Sequence, residues 1–391
     1  MSRNTLIVGG GIGGLAAALA CDRRGLQVEL FERACEFSEV GAGIQLGPNV
    51  VQVLHGWGLK DALSDVAAFP ERLQVRSALS GAELGVLRLG SVAVARYGSP
   101  YATIHRADLH ALLLNALRQQ TRVQLATNSV VSRFEQDEDG VLLHTAEGKA
   151  VRGDALLGAD GVWSRVRQQL LHDGEPRPTG HLAYRAMVPQ SALPDSLRSQ
   201  QITAWLGPRL HVVQYPVRGG AWLNVVAIVH GQVQGDPQHW DHSTNAAELR
   251  GNLVSTCAPL QNLVAAIEHW RLWALSIRAP VASARELAQG RVALLGDAAH
   301  PMVPYLAQGA GMAIEDADEL GRVLGNDGVA VAAALSHYAA RRWQRNARVQ
   351  ARAIRNGQIF HATGLVRWGR DASLKLLGER LLDMPWLYRT P

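Results

Sequence analysis

Cysteine is scarce: Cys21, Cys35 and Cys257 are the only three, and no two of them form Cys-x-x-Cys. That excludes a disulfide framework, a cysteine zinc site and a dithiol redox centre, and the thiols read as buried or spectator groups. Long apolar runs are missing as well. No stretch approaches the roughly 18 residues that a membrane span needs. Lysine and arginine cluster no further than pairs, so the net charge of +5 is weak support for nucleic-acid binding, and none is expected. It fits a field that draws in anionic substrates and cofactors. Histidine, aspartate and glutamate nowhere fall at ligand spacing, and no metal is expected. Met1-Ser-Arg-Asn runs directly into an apolar strand, leaving no room for a leader, so the expected location is cytoplasmic, with no membrane insertion. There is no internal repeat and no low-complexity segment.

What is present begins at residue 5. Leu6, Ile7 and Val8 form a short apolar run suited to a buried parallel strand. Gly9, Gly11 and Gly14 then fit G-x-G-x-x-G: the first permits the turn, the second lets backbone approach a pyrophosphate, and the third lets the helix pack on the strand. An Ala/Leu-rich helix to Arg24 follows, and a second strand, Val28 to Phe31, ends on Glu32. That carboxylate stands where an acidic group accepts from a ribose hydroxyl. Triplet, strand, helix and terminal acid together define a dinucleotide site. The triplet occurs once, so a reductase seating two dinucleotides in two such folds is disfavoured.

Further on, the glycine-punctuated, apolar stretch Glu39 to Asn49 reads as a cofactor-facing loop, followed by a helix through Leu63. Residues 70 to 100 alternate and read as antiparallel strands. A helix runs from His105 to about Arg118. Val123–Ala126, 129–136 and 140–145 read as a meander, and Ala155–Gly158 is an apolar strand leading to Asp160-Gly161. Between about 180 and 280 the pattern becomes β-rich, with Gly/Pro turns. The expected fold is α/β: a Rossmann-like dinucleotide-binding domain (1–70, 101–178 and 285–350) interleaved with an antiparallel-sheet domain (71–100 and 179–284). A C-terminal helical segment (351–391) completes it.

A second signal lies at Gly296-Asp297, where an apolar strand ends. The run Pro304 to Met312 then leads into a helix, so that Gly309, Ala310 and Gly311 can present N–H groups and a helix N-terminus to an electron-rich ring edge. Alone, this stretch reads better as an N-cap aspartate with a packing turn. In order and spacing, however, the fingerprint ending on Glu32, Asp160-Gly161 and Gly296-Asp297 resemble those of the single-component FAD-dependent aromatic hydroxylases, the flavoprotein monooxygenase family. The resemblance covers essentially the whole chain. It implies FAD held in one Rossmann domain by Gly9, Gly11, Gly14, Glu32, Arg106, Asp160 and Asp297, with Gly309, Ala310 and Gly311 beside the flavin ring. For Arg106 a helix-start salt bridge is an equally good account.

Within that family the runs Glu39 to Pro48, Gly207 to Gly220 and Gly296 to Pro301 look most like hydroxybenzoate hydroxylases of the 3-hydroxybenzoate 6-hydroxylase and salicylate hydroxylase type. The resemblance implies that NADH or NADPH reduces FAD, that O2 adds to give a flavin C4a-hydroperoxide, and that a phenolic acid takes the distal oxygen. It also implies His211 as the base that accepts the phenol proton and Tyr215 as the residue orienting the substrate. Their i, i+4 spacing on a strand puts both on one sheet face. One position departs: Pro304 stands where the 6-hydroxylases carry Gln, which removes a side-chain contact and leaves the ring specificity open. The family's habit implies a homodimer. Two rivals remain, a hydroxylase of a lipophilic ring such as a quinone precursor and a flavin-binding redox module without hydroxylase turnover. The basic, amphipathic stretch Arg367 to Tyr388 reads as packing on its own core or a partner subunit rather than on a membrane.

Overall fold

The computed structural model describes residues 2–37, 41–231, 242–243 and 246–389; Glu39 and Val40 of the glycine-rich loop lie outside them. Its first layer is a six-stranded sheet in the order Ala288–Gln289, Val292–Leu294, Ala155–Gly158, Asn4–Val8, Gln27–Phe31, Val123–Ala126. All neighbours run parallel except the Ala288–Gln289 hairpin strand. Parallel strands covered on both faces read as unbroken apolar runs, and Leu6, Ile7 and Leu156, Leu157 are fully buried. The fingerprint helix, Ile12–Asp22, is buried on every residue but Gly13, because it is sandwiched between this sheet and the helix Gly309–Leu324.

The second layer is an eight-stranded sheet ordered His242–Ser243, Arg271–Ile277, Arg177–Pro189, Trp222–His230, Leu210–Val217, Ile202–Gly207, Arg72–Ser77, Glu83–Arg88. It is antiparallel except where Ile202–Gly207 meets Arg72–Ser77 in parallel register. One face, with Tyr184, Val212 and Val225, packs under Leu249, Leu260 and Leu263 of two short helices. The other face carries Tyr215, Val217 and Ile228 and packs against Val303, Tyr305, Met312 and Val349 from the dinucleotide layer and the helix Val331–Phe360. This second cluster joins the layers, and the candidate site is built around it.

Three local expectations change. Val123–Ala126 pairs in parallel with Gln27–Phe31 instead of opening the meander, which consists of Val131–Gln136, Val141–Thr145 and Ala150–Gly153. A strand following the helix Arg106–Arg118 returns to the parallel sheet, as a βαβ crossover requires. The helix expected through Leu63 stops at Gly56 and restarts at Lys60, with Gly58 left-handed at φ +78° between the pieces. Gly90–Tyr97, inside the stretch read as strands, is a helix. Among the described residues no helix is long and apolar enough to cross a membrane.

Candidate active site

At the first turn the geometry leaves no room for side chains. Gly9 sits at φ +104°, and a Cβ on it would lie 2.5 Å from the Ala159 carbonyl oxygen. A Cβ on Gly14 would lie 1.8 Å from Gly9 O. Gly11 is the extended residue just before the helix. Glu32 reaches back to this turn: Gly10 N–H donates to Oε2 at 2.6 Å and Ala34 N–H to Oε1 at 2.8 Å. Each oxygen keeps lone-pair capacity for a ribose hydroxyl. Arg106 opens its helix with its N–H on Ala42 O at 3.1 Å, and Gly41 lies so close that a Cβ there would come within 2.8 Å of Arg106 Cβ.

Asp160 is turned toward the chain itself. Its carboxylate accepts from Ser164 Oγ at 2.5 Å and from the N–H groups of Arg165 and Val166 at 2.7 and 3.1 Å, capping the helix Arg165–Leu171. Burial pushes its pKa up, against the pull of those donors. It holds the Asp-Gly turn in shape beside Gly9.

Asp297 is exposed on the short helix Gly296–Ala299, and a Cβ on Gly309 would lie 4.0 Å from its Oδ1. The strand end and the Gly309–Gly311 turn therefore face each other. Two contacts fix how the second helix lies. A Cβ on Gly13 would meet Ala313 Cβ at 3.5 Å, and one on Gly321 would meet Ala20 O at 2.6 Å. The helices Ile12–Asp22 and Gly309–Leu324 therefore run side by side in the same direction, with their N-termini together. Both positive ends converge on one place, which suits a pyrophosphate. The side-chain-free cradle at Gly9 and Gly14 and these paired helix starts fit FAD.

A buried ionic network that the sequence did not announce holds the second helix in place. Arg342, on the helix Val331–Phe360, donates to Asp316 Oδ1 at 2.7 Å and to Glu315 Oε2 at 2.8 Å. Arg345 and Asn49 also bind Glu315, while His300 and Asn346 bind Asp316. Burial alone would raise the Asp316 pKa, but His300 and Arg342 outweigh it and hold the carboxyl at about 2. Asp316 also accepts from Gly296 N–H at 3.3 Å, tying the network to the Gly-Asp turn.

His211 and Tyr215 lie on one face of the strand Leu210–Val217, both buried. His211 Nδ1 is 2.7 Å from His361 Nε2, and its ring packs edge-on against Tyr305 and Phe360. Burial, with a smaller contribution from His181, pushes its pKa down to about 3, so the imidazole is neutral. Tyr215 Oη donates to Gly43 O at 2.7 Å, and Asn224 Oδ1 accepts from Gly43 N–H at 2.6 Å. With its proton committed to Gly43, the Tyr215 hydroxyl offers lone pairs to a ligand and fixes the loop beside Arg106. Burial raises its pKa and keeps it protonated.

Sequence reasoning passed over three features here. Arg185 is coupled electrostatically to Tyr215, Arg106 and Asp297, and its buried Nε has no hydrogen-bond partner. Gln308 precedes the Gly309 helix, is 2% exposed and has an unbonded Oε1. His181, His230 and His361 come together although no spacing groups them. Patterning on strand Arg177–Pro189 could have flagged Arg185 as a charge amid apolar residues, whereas the histidine group carries no sequence signal. The C-terminal helix Gly364–Leu377 buries Arg370 and Leu374 and exposes Leu365, Val366, Trp368 and Leu376.

Comparison with known proteins agrees with this geometry. The family model described as "FAD binding domain" matches residues 2–353. The 3-hydroxybenzoate 6-hydroxylase of Polaromonas naphthalenivorans (strain CJ2) is 39% identical over 386 residues, 98% of this chain and 95% of that protein. Klebsiella pneumoniae HpxO complexed with FAD and uric acid has a similar structure, with a TM-score of 0.87 at 27% identity over 99% of this chain and 96% of that one. A salicylate hydroxylase substrate complex gives a TM-score of 0.83 at 27% identity over 100% and 98% of the two chains.

Proposed function

This chain belongs to the FAD-binding-domain family of flavoprotein monooxygenases, and from that premise we propose that it hydroxylates a phenolic ring acid of the hydroxybenzoate kind. The enzyme is an FAD-dependent aromatic-ring monooxygenase that consumes NAD(P)H and O2. FAD, when bound, supplies the reductive activation of O2 that delivers an electrophilic oxygen to the ring. Gly9, Gly11 and Gly14 admit its pyrophosphate, Glu32 takes the ribose, Asp297 the ribityl chain, and Arg106 the flank of the cofactor. Asp160 shapes the turn between them. Gly309, Ala310 and Gly311 lie beside the flavin ring.

The observation that carries the substrate reading is the meeting of Tyr215 with Met312 of the Gly309 helix in one buried apolar cluster. A ring lying there would be shielded from water and within reach of both the flavin edge and the sheet face. His211, buried and neutral, with its Nδ1–H donating to His361 Nε2, takes the phenol proton at Nε2 and raises electron density in the ring. Tyr215 accepts from the substrate and orients it. Arg185, in electrostatic reach of both Tyr215 and Asp297, is the partner for the substrate carboxylate. Pro304 offers no side-chain hydrogen bond, so the ring substituents recognised differ from those of a site with glutamine there.

The enzyme acts in the cytoplasm as a homodimer; the exposed apolar residues Leu365, Val366 and Trp368 support a subunit-facing surface. The test is NADH and NADPH oxidation by the purified flavoprotein with salicylate, 3- and 4-hydroxybenzoate and 6-hydroxynicotinate, with peroxide measured beside product. One acid should stimulate oxidation with little peroxide. His211→Ala should retain FAD and divert reducing equivalents to peroxide, and unchanged coupling would remove His211 from the role of base.

A further inference from the structure

We propose that His181, His230 and His361 form a three-imidazole site for a divalent transition-metal ion of the zinc type, clamping the end of the long C-terminal helix to the eight-stranded sheet. The three residues come from separate elements. His181 and His230 are cross-strand partners on Arg177–Pro189 and Trp222–His230, and His361 caps the helix Val331–Phe360. Their ring centroids are 4.6, 5.0 and 5.1 Å apart, and one ring nitrogen of each lies within 4.8 Å of the other two. His230 Nε2 and His361 Nδ1 are 3.1 Å apart. Two nitrogens bound tetrahedrally at zinc–nitrogen bonds of about 2.0–2.1 Å stand roughly 3.3 Å apart, so this pair needs almost no movement to share an ion.

The far sides of the rings are also prepared. A ligating imidazole presents its lone pair to the metal and donates its other N–H to a neighbour, which fixes tautomer and orientation. His361 Nε2 faces His211 Nδ1 at 2.7 Å, and His181 Nδ1 faces Tyr305 Oη at 2.5 Å. With those nitrogens donating, His361 Nδ1 and His181 Nε2 are left for the ion; this tautomer puts the His211 proton on Nε2, so the ion-bound form is the one in which His211 does not act as base. Burial depresses the pKa of all three imidazoles, so their lone pairs are available at neutral pH. His230 is exposed, which gives the ion an entry path and leaves a fourth position to solvent. Arg209 and Arg370 lie close enough to depress His230 and His361, so an anionic fourth ligand, such as hydroxide or chloride, fits the local charge. Imidazole-only sites favour zinc, copper, nickel and cobalt over magnesium or calcium.

The test uses FAD-loaded enzyme without a histidine tag, stripped with chelator, then titrated with Zn2+ and, in parallel, Co2+. One equivalent of zinc should survive gel filtration, Co2+ should give tetrahedral ligand-field bands, and zinc should raise the melting temperature of the wild type. His230→Ala and His181→Ala should each lose the equivalent and the thermal shift while keeping wild-type flavin content. His337→Ala, which changes an exposed histidine elsewhere, should keep both. Failure of the wild type to retain zinc, or retention unchanged in His230→Ala, would overturn the assignment. None of these three readouts depends on turnover, so the result stands apart from the hydroxylase reading.

Discussion

Replacing Arg342 by Met isolates the contribution of the buried network beneath the Gly309 helix. Arg342 is 3% exposed and stands between Glu315, 4% exposed, and Asp316, fully buried. Methionine keeps much of the packing and removes the cation. Glu315 retains Arg345 and Asn49, and Asp316 retains His300 and Asn346, so neither carboxylate is stranded completely. Breaking a buried pair from one side costs about 3–5 kcal/mol, and these remaining partners put the expected loss near the lower figure. At an unfolding entropy of about 2.1 cal/mol/K per residue, 1 kcal/mol moves the melting temperature of a 391-residue chain by about 1 °C, so Arg342→Met should melt roughly 4 °C below the wild type. Arg322→Met is the control: Arg322 pairs with Glu319 at the surface, where such pairs contribute about 0–1 kcal/mol. Thermal unfolding followed by circular dichroism, with and without added FAD, reads both variants. FAD should also bind more weakly to Arg342→Met, because Asp316 holds Gly296 N–H. If Arg342→Met melts with Arg322→Met and takes up FAD normally, the network does not position the cofactor helix.

Gly14→Ala should yield protein with near-native circular dichroism and almost no flavin absorbance, because its Cβ cannot coexist with Gly9 O. Tyr215→Phe leaves Gly43 O without its donor in a buried site; a loss of about 1–3 kcal/mol in thermal or urea unfolding is expected, with a larger peroxide fraction during turnover. Asp316 is paired at a native pKa of about 2 against about 3.9 when unfolded, so it stabilises the fold at and above pH 4. That contribution, roughly 2–3 kcal/mol, should disappear as pH falls from about 4 to about 2, and Asp316→Asn should flatten this limb of the stability–pH curve.

What the sequence disclosed and what it hid divide by the range of the interaction. The cradle was legible because Gly9, Gly11, Gly14 and Glu32 act within one strand–helix–strand unit, whose chemistry is written in consecutive residues. The shared face of His211 and Tyr215 was legible for the same reason, since period two on a strand is local. Asp160 was assigned to the cofactor on its motif, and its bonds to Ser164, Arg165 and Val166 show a helix-capping duty that propensity alone also allowed. The break at Gly58 and the helix at Gly90–Tyr97 were missed because glycine pairs there serve equally as turn and cap. Arg342 and the three histidines were invisible, because their partners stand tens to hundreds of residues away, whereas Arg185 was marked only as a charge on an otherwise apolar strand.

The parallel placement of two helix starts shows why the long-range part matters to the chemistry. Side by side and pointing the same way, the dipoles of Ile12–Asp22 and Gly309–Leu324 repel at both ends. A bound pyrophosphate removes the repulsion at the N-terminal end and makes the close approach of Gly13 to Ala313 favourable. Before the anion arrives, other forces must hold the pair: the fit of Gly321 against Ala20 and the buried salt bridges of Glu315 and Asp316 to Arg342 and Arg345. The glycine fingerprint alone would seat a phosphate on one helix. It is the buried charge on the second helix, set two turns from its glycine-rich start, that brings a second positive helix end beside the first and carries the Gly309–Gly311 turn with it.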